Sequence, residues 1–471
     1  MGTVKRIYKN TLYLGAAEIA SRILQFVVML YAARLLSKEH FGKFSFALSL
    51  SLIAIVLADL GINTLLVREI SRNKKLAGKY FVNAFFTKAA LSFITYFIIV
   101  IILNLLGYPH DTRQIVYIIW MFAILSTFTE LFYSIFRAFE MMQYDAFLKI
   151  LRMGLLAIAS LYVLFNGYGV AAFAYTFVFV EIIVVLAALV MALSRFIKIK
   201  PLFDFQFSKS LLRNALPFGL AIVLGSIYFY IGSVMLSKMR GDAEVAVYSV
   251  AYNLALAILF IPTVYTNAIY PVMSRYYKES KEKLKMLYKK SFKYLYIIGL
   301  PISVGSYLLA ERIIFFFYGE AYAASVIALQ IISWYMFIKF INFLLGTVLS
   351  SIDMHGKRML GQGMTAVFNV LLNLMLIPKM GYIGAAWATF ATEIFLFILY
   401  YLYVCRFYAY NFSKILLKPL IGAAAMFFVI KFANLGLVLT IFFSALAYLA
   451  ALLALKAFDK SDYTIIKSIF K

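Results

Sequence analysis

The sequence predicts an all-α polytopic membrane protein of about fourteen transmembrane helices, as two pseudo-symmetric six-helix lobes followed by a C-terminal helix pair. Three observations predict it. Of the 471 residues 65% are hydrophobic, with a mean hydropathy of +0.92. Soluble domains sit near about 45–50% apolar, so the excess cannot be hidden in a water-soluble core. Apolar runs long enough to cross about 30 Å of hydrocarbon as helix recur along the whole chain. The basic residues sort onto alternate joining segments, as the positive-inside rule requires.

The runs fall at roughly 11–34, 44–67, 80–106, 114–136, 147–165, 168–194 and 210–236. They continue at roughly 245–271, 294–310, 322–351, 359–377, 382–405, 415–432 and 434–455. With the N-terminus cytoplasmic, the inside segments are the N-terminus, 68–79, 137–152, 195–213, 275–293, 357–358, 406–418 and the tail. Together they hold 33 Lys plus Arg, against 9 on the outside segments. This places both termini in the cytoplasm and accounts for most of the net charge of +25. The charge lies where it meets anionic lipid headgroups at the cytoplasmic face, so no nucleic-acid partner is expected. The first run has no small-residue cleavage site behind it and reads as a signal anchor. A lone cysteine, Cys405, excludes a disulfide framework, and His40, His110 and His355 show no metal-ligand spacing. No metal or other cofactor is expected.

Three cations remain after the loops and span ends are counted: Arg22, Lys88 and Lys339. Each lies at a similar depth, about 13–18 Å from the cytoplasmic end of its span at about 1.5 Å per residue. A charge there costs several kcal/mol unless it is offset. Gly15, Glu18, Arg22 and Gln25 repeat at spacings of three and four, so they form one polar face on the first helix. That face belongs against a protein interior or a wet cavity. Lys339 lies in WYMFIKFINF beside Asn342. Asp59 and Asn63, in ADLGIN, read as a brace on a helix end against Arg68. Glu130, Glu181 and Glu393 also lie at membrane depth. They are candidates, with Asp59, for a coupling ion or proton, and as unpaired carboxyls they could equally bond between helices.

The chain carries an internal repeat. LLSKEHFGKFSFALSL at 35–50 echoes MLSKMRGDAEVAVYSVAYNL at 235–254, and GYGVAAFAY at 167–175 echoes GYIGAAWAT at 381–389. The offsets set a repeat of about 200 residues and six spans. An even number of spans gives both copies one orientation, about an axis along the membrane normal. The expected division is 1–200, 201–408 and an extra helix pair with a basic tail at 409–471. Two lobes rocking about a central cavity is a transporter architecture, sufficient as a monomer. Pro217, Pro262 and Pro301 place more of the bending in the second lobe. No phosphate-cradling loop and no Ser/His/Asp or Cys/His constellation stands out, so the chain reads as not an enzyme.

FNVLLNLMLIPKMGYIGAAWATFATE (368–393), AARLLSKEHFGKFSFALSL with LADLGINTLLVRE (32–50 and 57–69) and ERIIFFFYGEAYAASVIALQI (311–331) carry a resemblance. They resemble the polysaccharide transporter branch of the multidrug/oligosaccharidyl-lipid/polysaccharide exporter superfamily. The resemblance implies a flippase that moves a lipid-linked oligosaccharide from the cytoplasmic to the outer leaflet through a cationic central cavity. A polyprenyl diphosphate-linked glycan would then be the partner, with Arg22, Glu18, Gln25, Lys88, Lys339 and Asn342 as its expected ligands. Arg22 suits the diphosphate because guanidinium pairs bidentately with phosphate oxygens. The alternative within the superfamily is a cation-coupled exporter of drugs or small solutes. A membrane glycosyltransferase would need a large hydrophilic loop, which the chain lacks, and the repeat and deep charges argue against a mere scaffold.

Overall fold

The computed structural model describes residues 3–197, 203–408, 413–433, 435–458 and 462, with the side chains of 3–14, 16, 221, 413 and 414 outside that description. Parts of the expected basic linker (198–202), the 406–418 segment (409–412), the turn at Asn434 and most of the tail therefore lie outside the described residues.

The described residues form helices and no strand. In chain order these are α1 (Thr3–Leu35), α2 (Lys38–Asp59), α3 (Ile62–Arg72), α4 (Ala77–Leu105), α5 (His110–Ala138), α6 (Met142–Phe165), α7 (Gly169–Arg195) and α8 (Phe205–Arg240). They continue with α9 (Asp242–Ile258), α10 (Phe260–Glu279), α11 (Lys281–Leu308), α12 (Ala310–Tyr318), α13 (Ser325–Ser351), α14 (His355–Tyr408), α15 (Ser413–Phe432) and α16 (Leu437–Ala454). Most expected spans fall on one helix each, but 44–67 is divided between α2 and α3 and 245–271 between α9 and α10. Among the described residues eleven helices are long and apolar enough to cross a membrane, or twelve if the bent pair α11–α12 is one span. The expected pair 359–377 and 382–405 appears as the single run α14, broken at Gly381 with φ 57° and ψ −134°. The chain is thus a multi-pass membrane protein; the count of fourteen crossings belongs to the sequence reading.

Local chemistry sets the ends. Ser37 accepts from the amide of His40 at 3.2 Å to start α2, and Asp204 accepts from Phe207 at 2.9 Å to start α8. That amide bond, with Lys79 beside it, holds the Asp204 carboxyl below the usual carboxylate range. α2 stops because Leu60 (φ 44°) and Gly61 (φ 82°) both turn left-handed. Gly61 is required there twice over, since a Cβ would also meet the backbone N of Gly219 at 2.5 Å. The 74° bend between α11 and α12 falls past Pro301, through which α11 runs on. Proline is therefore not the cause of that bend.

Two compact units emerge: 1–253 with 366–385, and 254–365 with 386–471. In the first, α1 packs on α6, where Tyr31 meets Phe165 at a ring distance of 5.3 Å, and Ala17, Val28 and Ala32 of α1 are fully buried. Phe44 of α2 sits between Phe173 and Phe177 of α7. In the second, α11 packs on α13, and the α15–α16 pair docks on α11. Tyr448 of α16 donates to the carbonyl of Ile297 at 2.8 Å, which orients that pair.

Candidate functional site

On α1 the expected polar face forms. Arg22 Nε donates to Glu18 Oε1 at 2.9 Å, one turn apart. The two side chains keep 38% and 42% of their exposure, and Gln25 beside them is exposed. Ala17 and Val28 on the same helix are fully buried, whereas the charged pair keeps partial exposure. A half-exposed guanidinium paired on one edge still has donors for another anion.

Lys88 lies at the same expected depth with the opposite fate. It is fully buried on α4, and its ammonium meets Asp59 Oδ1 at 2.8 Å, Asn63 Oδ1 at 2.9 Å and the Thr127 carbonyl at 2.8 Å. The ammonium thus donates to Asn63 and Thr127 and is neutralised by the Asp59 carboxylate. The geometry follows from the α2–α3 break: the left-handed pair 60–61 brings Asp59 and Asn63 to one point, and Asn63 N–H also donates to Asp59 at 3.4 Å. Asp59 and Asn63 thus brace a helix end against Lys88, not against Arg68, which pairs with Glu69 at 2.8 Å.

In the second unit Lys339 of α13 meets Glu393 of α14 at 3.2 Å. Asn342, one turn on, donates to Glu393 Oε1 at 2.7 Å and to its carbonyl at 2.9 Å. All three are buried, with Lys339 also near the Tyr335 and Phe343 rings. Asn342 and Glu393 are therefore first of all each other's partners, linking α13 to α14.

The other deep acids each have a cation. Glu181 is fully buried, accepts from Thr129 at 2.6 Å and pairs with Arg152 at 3.2 Å. Glu130 meets Arg137 at 3.5 Å, and Arg137 bonds Asp145 at 2.7 Å, with Lys149 on the far oxygen of Asp145 at 3.2 Å. Sequence reasoning counted Arg137, Lys149 and Arg152 among loop charges and missed these partners. Two signals could have found them: each lies inside a helix-forming run, and Asp145–Lys149 has i, i+4 spacing.

The α11 and α16 faces also enclose an apolar pocket of about 390 Å³, lined among others by Ile297, Pro301, Ile302, Met426, Ile441 and Leu449. Such a volume and lining suit a hydrocarbon ligand.

Comparison with known proteins agrees with this architecture. The family model described as polysaccharide biosynthesis protein matches residues 7–277, and the MatE model matches 217–377. The capsular polysaccharide biosynthesis protein CapF of Staphylococcus aureus is 23% identical over 411 residues, covering 85% of this chain and 100% of its own length. The probable low-salt glycan biosynthesis flippase Agl15 of Haloferax volcanii is 21% identical over 383 residues, 81% of this chain and 80% of its own. Among solved structures, the lipid II flippase MurJ in an inward closed conformation aligns with a TM-score of 0.78 at 17% identity, over 93% of this chain and 97% of its own. That likeness is one of fold. With more than half of its length matched by one family model, the chain belongs to the polysaccharide biosynthesis protein family, within the multidrug/oligosaccharidyl-lipid/polysaccharide exporter superfamily.

Proposed function

We propose that this protein is a flippase that carries a polyprenyl diphosphate-linked oligosaccharide from the cytoplasmic to the outer leaflet by alternating access of a cationic cavity. One observation carries the reading: Arg22, at the depth expected from the sequence, stays half-exposed, with Glu18 as its one ion-pair partner among the described residues. Lipid would not tolerate that charge, whereas a diphosphate in a wet cavity would take its open donors bidentately. Glu18 holds the guanidinium in place between substrates, and Gln25 adds a neutral donor on the same face. We read Lys88 and Lys339 as positioning residues whose partners hold α2–α3 and α13–α14 in shape. The apolar pocket on α11 and α16 has the chemistry an isoprenoid tail requires.

The names of CapF and Agl15 support a glycan-pathway substrate. The basic bias of alternate segments supports cytoplasmic termini in a cell membrane, with anionic lipids against them. Two repeats in one chain make a monomer sufficient. The MatE match favours a second reading, a cation-coupled exporter of drugs or small solutes.

Binding by the purified protein separates the two. A polyprenyl diphosphate sugar lipid is expected to bind, and Arg22→Ala to abolish that binding in a protein that stays folded. Binding of a lipophilic organic cation instead, indifferent to Arg22→Ala, would establish the exporter reading and leave Glu18–Arg22 a helix brace.

A further inference from the structure

At one end of the second unit the C-terminal tail returns to α11. Past α16, Lys456 takes the left-handed conformation (φ 49°), in a helix-end position that glycine usually fills. The amides of Lys456 and Ala457 bond the carbonyls of Leu453 and Leu452 at 3.0 and 2.9 Å, which closes the helix end. Lys418, near the start of α15, donates to the carbonyl of Lys456 at 2.9 Å. A side-chain-bearing residue held left-handed costs free energy and persists only where its surroundings impose it. Here the turn is followed by two contacts on α11. The Lys293 ammonium lies over the Phe458 ring at 5.8 Å. Asp462 is fully buried, and Lys290 at 3.2 Å, Lys293 at 2.5 Å and the Tyr294 hydroxyl at 2.6 Å all meet its carboxylate.

The three groups stand at i, i+3 and i+4 of one helix, so a single turn of α11 aims them at one point. Ser291, within that turn and fully buried, accepts from Tyr265 of α10 at 3.0 Å, which holds the turn in place without the tail. The two lysine side chains keep only 14% and 12% of their exposure. Lys281, Lys283 and Lys285, earlier on the helix, are exposed, so an anion approaching α11 is attracted before it meets the sheltered pair. Two ammoniums and a phenol converging on a carboxylate are the donors that would also hold the oxygens of a phosphate group.

We infer that Lys290, Lys293 and Tyr294 form a binding site for a phosphate-class anion and that Asp462 guards it: tail carboxylate and phosphate group occupy the site in turn. A tethered carboxylate is present at high effective concentration. It yields to a ligand with more charge and more acceptor oxygens, or to headgroups concentrated at a membrane surface. The phosphate comes either from an anionic phospholipid headgroup or from a free phosphate compound. The headgroup source rests on the cytoplasmic placement of this end proposed above; the site itself depends neither on that placement nor on the glycan substrate. Release of the tail leaves the helix pair in place, because Tyr448 still bonds the Ile297 carbonyl.

The test uses the full chain in a Cys405→Ser background, with a nitroxide on Ser461→Cys whose mobility reads whether the adjacent Asp462 is held. In phosphate-free detergent solution the label is expected to be largely immobile. Asp462→Asn keeps the shape without the charge and should raise the mobile fraction about tenfold, whereas Asp462→Glu should stay held. Inorganic phosphate should release the wild-type tail, and chloride at the same ionic strength should not. By calorimetry, inorganic phosphate should bind Asp462→Asn about tenfold more tightly than wild type, because nothing competes for the site. Lys290→Gln with Lys293→Gln should abolish that binding and leave the tail mobile in every condition. In nanodiscs, release by phosphatidylglycerol but not by phosphatidylcholine assigns the site to a headgroup. Release only when inorganic phosphate is added to phosphatidylcholine discs assigns it to a free phosphate. An equally immobile label in Asp462→Asn with a wild-type elution profile would overturn the guard. A wild-type tail that neither phosphate nor phosphatidylglycerol moves would overturn the site and leave Asp462 a fixed brace.

Discussion

Arg22 and Lys88 sit at the same expected depth in the same half of the chain, yet one is half-exposed and the other fully buried. The difference is in the number of acceptors around each. Lys88 has three, supplied by a broken helix end and a carbonyl, so its charge is spent inside the protein. Among the described residues Arg22 has one, Glu18, on its own helix. Lys339 is likewise buried, against a carboxylate that it shares with Asn342. On the proposed reading, a deep charge marks a substrate site where the fold leaves its donors open and is otherwise a fastening.

The strongest way to break this comparison is to unpair Lys88. Asp59→Ala should cost about 3–5 kcal/mol, the usual penalty for stranding one partner of a buried pair. It would appear as a large fall in the thermal unfolding midpoint in detergent. Asp59→Ala combined with Lys88→Met should recover much of it. An unchanged midpoint for Asp59→Ala would mean Lys88 is not a fastening.

Lys339→Met is expected to cost less, about 1–3 kcal/mol. Glu393 retains its bonds from Asn342, one on the carboxylate and one on the backbone carbonyl, so it is not left without a partner. A larger loss than for Asp59→Ala would reverse the ranking. Arg22→Ala should change stability by less than about 1 kcal/mol, as half-exposed pairs do, while removing sugar-lipid binding. A large loss of stability would instead place Arg22 with the fastenings.

The smallest effect concerns Asp204, outside the spans. Its carboxyl is held low by the Phe207 amide and Lys79. A depressed acid stabilises the fold above its unfolded value and loses that contribution as pH falls through the folded one. The difference in unfolding midpoint between wild type and Asp204→Asn should therefore be present at about pH 6 and fade as the pH drops below about 4. A difference that persists at lower pH would mean the cap does not depend on its charge.

Much of this was legible in the chain. Apolar run length located most of the helices though not their breaks, and the spacing of Glu18, Arg22 and Gln25 foretold one face, because both signals are local. The fate of Lys88 was not legible. It depends on a left-handed turn at Leu60–Gly61 and on Thr127, 39 residues away. Nor was the pairing of Glu181 with Arg152, since a cation near a loop boundary looks like any positive-inside charge. Asp59 was matched to Arg68 by proximity in sequence, whereas α4 brought Lys88 nearer in space.

What the sequence by itself determined is the class: a multi-pass helical protein with a repeat, a basic bias on alternate segments and three charges too deep to ignore. Those follow from the one-dimensional rules of burial in hydrocarbon, which need only composition and length. What the tertiary structure alone decided is which of those charges is satisfied. A charge at depth is stable only with acceptors within about 3 Å, and the acceptors for Lys88, Lys339 and Glu181 come from other helices. No periodicity along one helix can encode that choice, and it is what leaves Arg22 open.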